Sequence, residues 1–284
     1  MKPHHLTRTP LALAAAMASL ALTATSAQAA TIAYRNLILS DSPVAYYQFD
    51  ETSGTTALNS GSSGATQNGT HAGGTLTVGQ TSAHPFLGTA YDFDGGFVTA
   101  AAIPTGLSEW TMEAWINTRA GSGTVLSNDA GGWNDDAIIG MSPEGGISGV
   151  AAGEFGISQQ SAPGGPRDGV GATVASDEWH HVAMTGSASD STMSVYIDGV
   201  LIASDTSPNV NFNFGTSAGL FIGSKRVTAD SLFDGLIDEV AVYDSVLSTS
   251  DLAARANFNP IPEPTSAILG GMGALILLRR RRRD

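Results

Sequence analysis

The chain contains no cysteine among its 284 residues. This absence excludes a disulfide framework and any metal site built from thiolates. A chain without disulfides must rely on a hydrophobic core, and the roughly 230 residues that remain when the apolar runs near the two ends are set aside are ample for one. We therefore expect a single domain stabilised by its own core.

Basic residues are scarce as well, with 13 Lys and Arg against 26 Asp and Glu. Setting aside Lys2, Arg8, the five arginines near the C-terminus and Asp284 leaves 6 basic and 25 acidic residues. The resulting formal charge of −19 argues against binding to nucleic acid or to an anionic lipid surface. It favours divalent cations or neutral partners.

One apolar run lies close to the N-terminus. Lys2 and Arg8 precede the run LALAAAMASLALTA, and Ala27-Gln28-Ala29 forms a small-residue cleavage site. This is the layout of a secretory signal peptide, with an ordinary buried helix as the alternative. We therefore expect the protein to be exported and residues 1–29 to be removed.

A second apolar run, residues 265–278, lies near the C-terminus and carries no charge. It is shorter than the roughly 20 residues that usually span a bilayer. The segment follows Pro262, Glu263 and Pro264 and precedes Arg279, Arg280, Arg281, Arg282 and Arg283. Because cationic residues beside an apolar segment resist translocation, the arginines are expected to stay on the cytoplasmic side.

Residues 259–284 resemble the PEP-CTERM sorting signal of bacterial exported proteins, because the Pro-Glu-Pro motif, the apolar segment and the basic end occur in that order. The resemblance implies recognition by an exosortase-type processing protease and contact with the membrane through this tail alone. It also implies sorting to the cell envelope, the cell surface or the extracellular matrix. A plain tail anchor is the alternative.

The region between these signals shows short apolar alternations separated by Gly, Ser, Asn and Asp, which is typical of an all-β protein. In MSVYIDGVLIAS, Met193, Val195 and Ile197 alternate and Asp198-Gly199 supplies a tight turn, which predicts a hairpin. The segment LSTSDLAARANF is expected to be the one helix, with Ser248 as its N-cap. The glycine-rich stretches SGSSGATQNGTHAGG and SGVAAGEFGISQQSAPGGPRDG are expected to be loops.

The strand segments together resemble the LamG-like domains of the concanavalin A-like superfamily. The matching pieces are AYYQFDETSG, AYDFDGGFV, WTMEAWI, EWHHVAM, MSVYIDGVLIAS, LFIGS and FDGLIDEVAVYDSVLSTSDL. The resemblance implies an all-β fold, a two-sheet antiparallel jelly-roll β-sandwich over residues 30–258. It does not fix the activity, because one fold hosts many functions.

The same superfamily contains glycoside hydrolases, and retaining enzymes need two carboxyl groups about 5 to 5.5 Å apart. The strand pattern E-x-D-x-E, which would supply such a pair, does not occur in this sequence. Glu109 and Glu113 are the acids left for a hydrolase. We expect a protein that is not an enzyme, with a glycan-active hydrolase as an alternative.

His180 and His181 could suggest a metal pair or an acid-base group, but neighbouring strand residues point to opposite faces and so cannot chelate one ion together. The resemblance makes this stretch a framework motif, so His181, which shares a face with Trp179 and Ala183, is expected to be a core residue.

Two acids lie at the ends of apolar stripes. Alternation places Glu51 on the face of Tyr47 and Phe49, and Asp238 on the face of Val240 and Val242. The first and last strands of a jelly roll commonly run side by side, so we expect the two acids to meet and to hold a structural Ca²⁺, an ion that prefers oxygen ligands. Ordinary solvated acids are the alternative. The further ligands proposed for this ion are Asp50, Asn59 and Asp94.

Ligand binding is the expected activity. In the glycine-flanked segment WNDDAI, Trp133 offers a stacking surface beside the polar groups of Asn134, Asp135 and Asp136. Trp110, Trp115, Tyr46 and Tyr91 are weaker candidates, because aromatic residues are more often part of a core. We therefore expect a non-catalytic binding or adhesion module that recognises extracellular polysaccharide or a matrix protein. A structural matrix protein without a small ligand is the alternative.

Overall fold

The computed structural model describes residues 28–103, 107–119, 123–128, 138–141, 154–160, 167–206 and 219–259. Helix α1 covers residues 28–40 and helix α2 covers Thr249–Ala256, with short 3₁₀ helices at Gly64–Gln67 and Pro85–Leu87. The strands of the described part are β1 Ala45–Tyr47, β2 Thr56–Ala57, β3 Gly69–Thr81, β4 Thr89–Ala100, β5 Glu109–Thr118, β6 Gly123–Ser127, β7 Ile138–Met141, β8 Glu154–Gln160, β9 Arg167–Thr173, β10 His180–Ser187, β11 Thr192–Ile197, β12 Val200–Asp205, β13 Leu220–Ile222 and β14 Asp234–Tyr243.

The strands follow one antiparallel path that folds over on itself. Its order is β12-β11-β10-β5-β14-β4-β13-β6-β7-β8-β9, and β9 at one end approaches β11 and β12 at the other. A first core cluster lies between the two layers, with Met112 and Met184 on one side and Val125 and Phe155 on the other. The structure therefore confirms the predicted antiparallel β-sandwich.

Two sequence-based expectations about the strands are confirmed. Strand β1 pairs with the last strand, β14, and Tyr46 lies opposite Ala241. The predicted hairpin joins β11 to β12, and both residues of its turn have positive φ angles, 52° at Asp198 and 76° at Gly199. An Asp-Gly pair suits this turn because glycine adopts positive φ without a steric cost.

The outer face of strands β5, β10 and β14 is covered by the two helices. Tyr34 and Ile38 of α1 and Leu252 of α2 form a second core cluster with Trp115 and Tyr243, among others. Phe258, just after α2, packs edge-on against Tyr34, with ring centroids 5.2 Å apart. The two ends of the described chain are therefore held on the same face of the sandwich.

Helix α2 lies where the sequence predicted a helix, whereas helix α1 was not predicted. Ser248 and Asp251 form the expected capping box at the start of α2. The expectation of a single helix was wrong, because residues 28–40 are also helical. Ala30, Tyr34 and Ile38 are buried at a spacing of four residues, which is the pattern of a helix packed along one face. Within the described ranges, neither helix is long and apolar enough to cross a membrane.

The glycine-rich stretches are not loops throughout, so that expectation was wrong in part. Strand β3 begins at Gly69 and passes through Gly73 and Gly74, which lie against Gly95 and Gly96 of β4. A side chain on Gly74 would come within 2.9 Å of the Gly95 backbone, so glycine permits a close approach of the two strands here. The second stretch contributes β8 and the start of β9.

Candidate functional site: a buried acidic pair beneath the helices

Strand β14 is irregular at its centre. Ile237 and Val240 both belong to the first core cluster, although residues three apart in a regular strand face opposite sides. The register with β5 shifts between Asp238 and Ala241, and Glu239 has a φ of 53°. Positive φ is rare for a residue with a long side chain, and a β-bulge re-aims side chains. Asp238 and Glu239 therefore lie together on the side away from the first core cluster, and the placement of Asp238 by strict alternation was wrong.

Both acids are buried among polar groups. The Ser82 hydroxyl donates to Asp238 Oδ2, and the Glu239 backbone N–H donates to Asp238 Oδ1 over 2.8 Å. The Tyr46 hydroxyl donates to Glu239 Oε2. Asp238 is 0% exposed and Glu239 is 2% exposed. The site therefore holds two neighbouring carboxyl groups that bulk water does not reach.

The electrostatics of this acidic pair are unfavourable to negative charge. Burial raises the pKa of Asp238 well above its ordinary value, and the nearby charge of Asp50 raises it further. Burial also raises the pKa of Glu239, with additional contributions from the charges of Asp238 and Asp50. In the described part of the chain, no Lys or Arg contributes to either shift. Such a pair either retains protons or binds a cation.

The structure does not join Glu51 to Asp238 by any described bond. Glu51 Oε1 accepts from the Leu58 backbone N–H over 2.8 Å, and Glu51 Oε2 accepts from the Tyr91 hydroxyl over 2.6 Å. Tyr91 belongs to the first core cluster, on the other side of the sheet from Asp238. Of the acids predicted as ligands, Asp50 is the one whose charge acts on Asp238 and Glu239.

The remaining predicted ligands have other roles in the fold. The Asn59 side chain accepts from the backbone N–H of Tyr46 and Gly61, over 2.7 and 2.9 Å, and so shapes the loop after β2. Asp94 is exposed on β4, opposite Asp234. Among the residues that the structure describes, no group of three or more His, Asp or Glu side chains is arranged to hold a metal ion. The calcium site therefore stays a prediction.

A second buried polar cluster joins both helices to the sheet. Arg255 of α2 lies 3.0 Å from Glu113 Oε1 on β5 and 2.6 Å from Asp41 Oδ2, just after α1. His181 Nε2 lies 3.1 Å from Glu113 Oε2, and the Tyr243 hydroxyl donates to Glu113 Oε1. We call the set Asp41, Glu113, His181, Tyr243 and Arg255 the helix clasp. His181 is 1% exposed, which confirms the expectation that it is a core residue.

The helix clasp determines what Glu113 can do. Burial alone would raise the pKa of Glu113, but its bond to His181 and the charge of Arg255 outweigh that effect and hold the pKa below its ordinary value. Glu113 is 2% exposed and fully paired, so it cannot touch a sugar. Glu109 lies elsewhere and accepts from the Ser187 hydroxyl and the Ser189 N–H. The pair that the sequence left for a hydrolase is therefore not brought together.

Most aromatic candidates for ligand binding belong to the core. Trp110 and Trp115 are 0% and 4% exposed, and Tyr46 and Tyr91 are both 0% exposed. The predicted ligand-binding residues lie outside the described residues: Trp133, Asn134, Asp135 and Asp136. The sorting motif at Pro262, Glu263 and Pro264 and the arginines 279–283 lie outside them as well.

Sequence reasoning missed four residues of these clusters, namely Asp41, Glu239, Tyr243 and Arg255, and two of the four left a signal in the sequence. Glu239 stands next to Asp238 in an otherwise apolar strand, LIDEVAVY, and that pair of neighbouring acids was the available signal. Arg255 follows Leu252 by three residues, so both lie on the buried face of α2. A basic residue on the apolar face of a helix, in a chain with few basic residues, indicates a buried partner.

The described strands form an antiparallel β-sandwich, and two helices cover part of its outer face. A family model of the concanavalin A-like lectin/glucanases superfamily matches residues 92–253, and the chain belongs to that superfamily. No curated protein matches the chain.

Solved structures show the same fold at low sequence identity. Domain 4 of AbnA, an extracellular arabinanase from Geobacillus stearothermophilus solved with arabinotriose, is 21% identical, with a TM-score of 0.53. That match covers 76% of this chain and 98% of the domain. The binding domain of botulinum neurotoxin serotype D is 12% identical, with a TM-score of 0.54, over 78% of this chain. The chain spans about half the length of the toxin domain, 52%. These matches establish a shared fold.

Proposed function

We propose that the protein is an exported, non-catalytic binding or adhesion module that recognises an extracellular carbohydrate or a matrix protein. The observation that carries this proposal is the enclosure of Glu113, because the acid best placed for hydrolysis is instead a structural part of the helix clasp. A catalytic acid must reach the substrate. The superfamily and the arabinotriose complex of the arabinanase domain support carbohydrate as the ligand class.

The proposed ligand surface is the segment with Trp133, Asn134, Asp135 and Asp136. The other tryptophans that the structure describes support this choice, since Trp110 and Trp115 are buried and Trp179 packs against the second core cluster. An indole ring stacks on the apolar face of a sugar, and the neighbouring acids and amide accept or donate hydrogen bonds at its hydroxyl groups.

A panel of neutral polysaccharides tests this surface by isothermal titration. We expect Trp133→Ala to weaken binding about tenfold, which corresponds to about 1.4 kcal/mol, and Trp133→Phe to retain most of the affinity because it keeps an aromatic plane. The melting temperature should change in neither variant. Equal binding by Trp133→Ala and wild type would disprove the assignment of this surface.

Two further results would separate the alternatives. Failure to bind any glycan of the panel, together with self-association, would favour the structural matrix protein. Release of reducing sugar that Glu109→Gln abolishes would favour the hydrolase.

We further propose that a structural Ca²⁺ neutralises the acidic pair of Asp238 and Glu239, whose two carboxyl groups, without Glu51, would bind the ion, while Asp50 acts on the pair by its charge. The support is chemical: the two carboxyl groups are hard oxygen donors, and no Lys or Arg of the described residues contributes to their pKa shifts. Calcium would supply a positive charge. Ser82 and Tyr46 orient the two carboxyl groups by donating to them.

We also propose that residues 259–284 anchor the exported protein transiently and that an exosortase-type protease then processes the tail for sorting to the cell surface or matrix. The order of the Pro-Glu-Pro motif, the apolar segment and the arginines supports this proposal. Mass spectrometry of the surface-exposed protein should detect a C-terminus near Pro264 without the arginines. Recovery of an intact tail carrying Arg279 to Arg283 in that fraction would contradict processing.

A further inference from the structure

Exposed apolar side chains concentrate where the chain leaves α2 toward its C-terminus. Gly199 packs directly on α2, since a Cβ atom there would lie 2.6 Å from Ala253 Cα and 3.1 Å from Ala256 Cβ. The next three residues, Val200, Leu201 and Ile202, are 58%, 46% and 50% exposed. They are therefore held beside the end of α2 by the hairpin turn.

The other side of this exit point is lined by α1. Phe258 contacts Tyr34 of α1 and Phe86, with ring centroids 5.2 and 5.3 Å apart. Ile32, two residues from Tyr34, is 52% exposed. Four of the seven large exposed hydrophobic residues in the described part of the chain thus lie on α1 or on the first half of β12. We call Ile32, Val200, Leu201, Ile202 and Phe258 the exit surface.

The charge of the exit surface differs from that of the rest of the molecule. Helix α1, residues 28–40, carries no acid, and residues 200–204 of β12 carry no charge. The one basic residue of α1, Arg35, donates to the Ser60 hydroxyl and acts on Asp50, so it is not counted in this surface. The whole chain, in contrast, has twice as many acidic as basic residues, 26 against 13. An uncharged apolar patch on an acidic protein suits contact with a lipid surface, where carboxylates would be repelled by headgroup phosphates.

The sequence beyond Phe258 sets how far away a membrane could be. Six residues, Asn259 to Pro264, separate Phe258 from the apolar segment that begins at Thr265. Fully extended, they reach at most about 20 Å. Three of the six are prolines, which stiffen the connection. Once the apolar segment enters a bilayer, the end of α2 cannot be far from its surface.

We propose that the exit surface is a membrane-contact face, which rests against the lipid interface while the protein is anchored by its tail. This inference depends on the proposed tail anchor and extends the expected membrane contact from the tail to the folded domain. Val200, Leu201, Ile202 and Ile32 enter the interfacial region. The domain is thereby held in one orientation when the tail is processed.

Single cysteines can test this contact, because the natural chain has none. Ile202→Cys and Val227→Cys each receive an environment-sensitive fluorophore in the full-length protein, which is reconstituted into phosphatidylcholine vesicles. Val227 is a matched control, since it is 66% exposed but lies in the loop before β14 and not on the exit surface. We expect the label at position 202 to shift to shorter wavelength and its quenching by aqueous iodide to fall several-fold. The label at position 227 should remain accessible.

The outcomes separate failure of this inference from failure of the tail anchor. Protein that does not float with the vesicles would show that the tail does not insert, which contradicts the anchor and the contact face together. Protein that floats while both labels stay equally accessible to iodide would overturn the contact face alone. A second variant, Leu201→Asp in the Ile202→Cys background, should restore quenching without changing flotation.

Discussion

Replacing Arg255 with methionine is expected to lower the free energy of unfolding by about 3 to 5 kcal/mol, because it leaves buried acids without their cation. Arg255 is 0% exposed and lies 3.0 Å from Glu113 Oε1 and 2.6 Å from Asp41 Oδ2. Glu113 would remain buried with His181 and Tyr243 as its partners. Urea denaturation of wild type and variant at pH 7 measures the loss.

Arg119 provides a matched control for this prediction. It also binds two carboxylates, Asp92 at 2.8 Å and Asp234 at 2.7 Å, but its side chain is 40% exposed. Exposed ion pairs contribute about 0 to 1 kcal/mol, so Arg119→Met should be nearly neutral. Equal losses in Arg255→Met and Arg119→Met would contradict a special role for the buried cluster.

The helix clasp also predicts a pH dependence. The pKa of Glu113 is lower in the folded protein than its ordinary value, so the stabilisation by ionised Glu113 is present above that ordinary value. It is lost as the pH falls through the lowered folded pKa. In Arg255→Met the folded pKa of Glu113 rises, and the acid-dependent loss should begin at higher pH. Adding Glu113→Gln should recover part of the stability, because the two residues are in direct contact.

The sequence predicted the regular parts of the fold well, for physical reasons that particular elements show. Met193, Val195 and Ile197 alternate and are followed by Asp198-Gly199, so both the strand and its turn are encoded by neighbouring residues. The capping box of Ser248 and Asp251 is equally local. Such elements need no knowledge of the tertiary structure.

The acidic pair could not be predicted in the same way. Its geometry depends on the bulge at Glu239, and a bulge arises from the pairing of β14 with its neighbours rather than from any local pattern. A shift of one residue moves every following side chain to the other face, so strict alternation assigned Asp238 to the wrong side. Helix α1 was missed because its first residues overlap the expected signal peptide.

Asp238→Asn should stabilise the protein in EDTA at neutral pH. A substitution in the acidic pair is thus expected to raise the free energy of unfolding, whereas Arg255→Met in the helix clasp is expected to lower it. The pKa values of Asp238 and Glu239 are raised in the folded state. For an acid with a raised folded pKa, stability is highest below the ordinary pKa and falls as the pH rises through the folded value. Because Asn cannot ionise, the variant lacks this loss, and its melting temperature at pH 7 should exceed that of wild type. This difference should shrink toward pH 4.

If the proposed ion binds, wild type should be more stable than Asp238→Asn in calcium, the opposite of the order expected in EDTA. Wild type would gain about 2.7 kcal/mol at a calcium concentration one hundred times the dissociation constant, whereas Asp238→Asn should respond weakly. Asp94→Asn is the control, since Asp94 is exposed and should alter neither behaviour. The measurement is thermal unfolding of wild type and both variants under four conditions: EDTA or calcium, each at pH 4 and at pH 7. A wild type that ignores calcium while Asp238→Asn is still more stable in EDTA would mean that the two carboxyl groups retain protons and that the cation is absent from the native state.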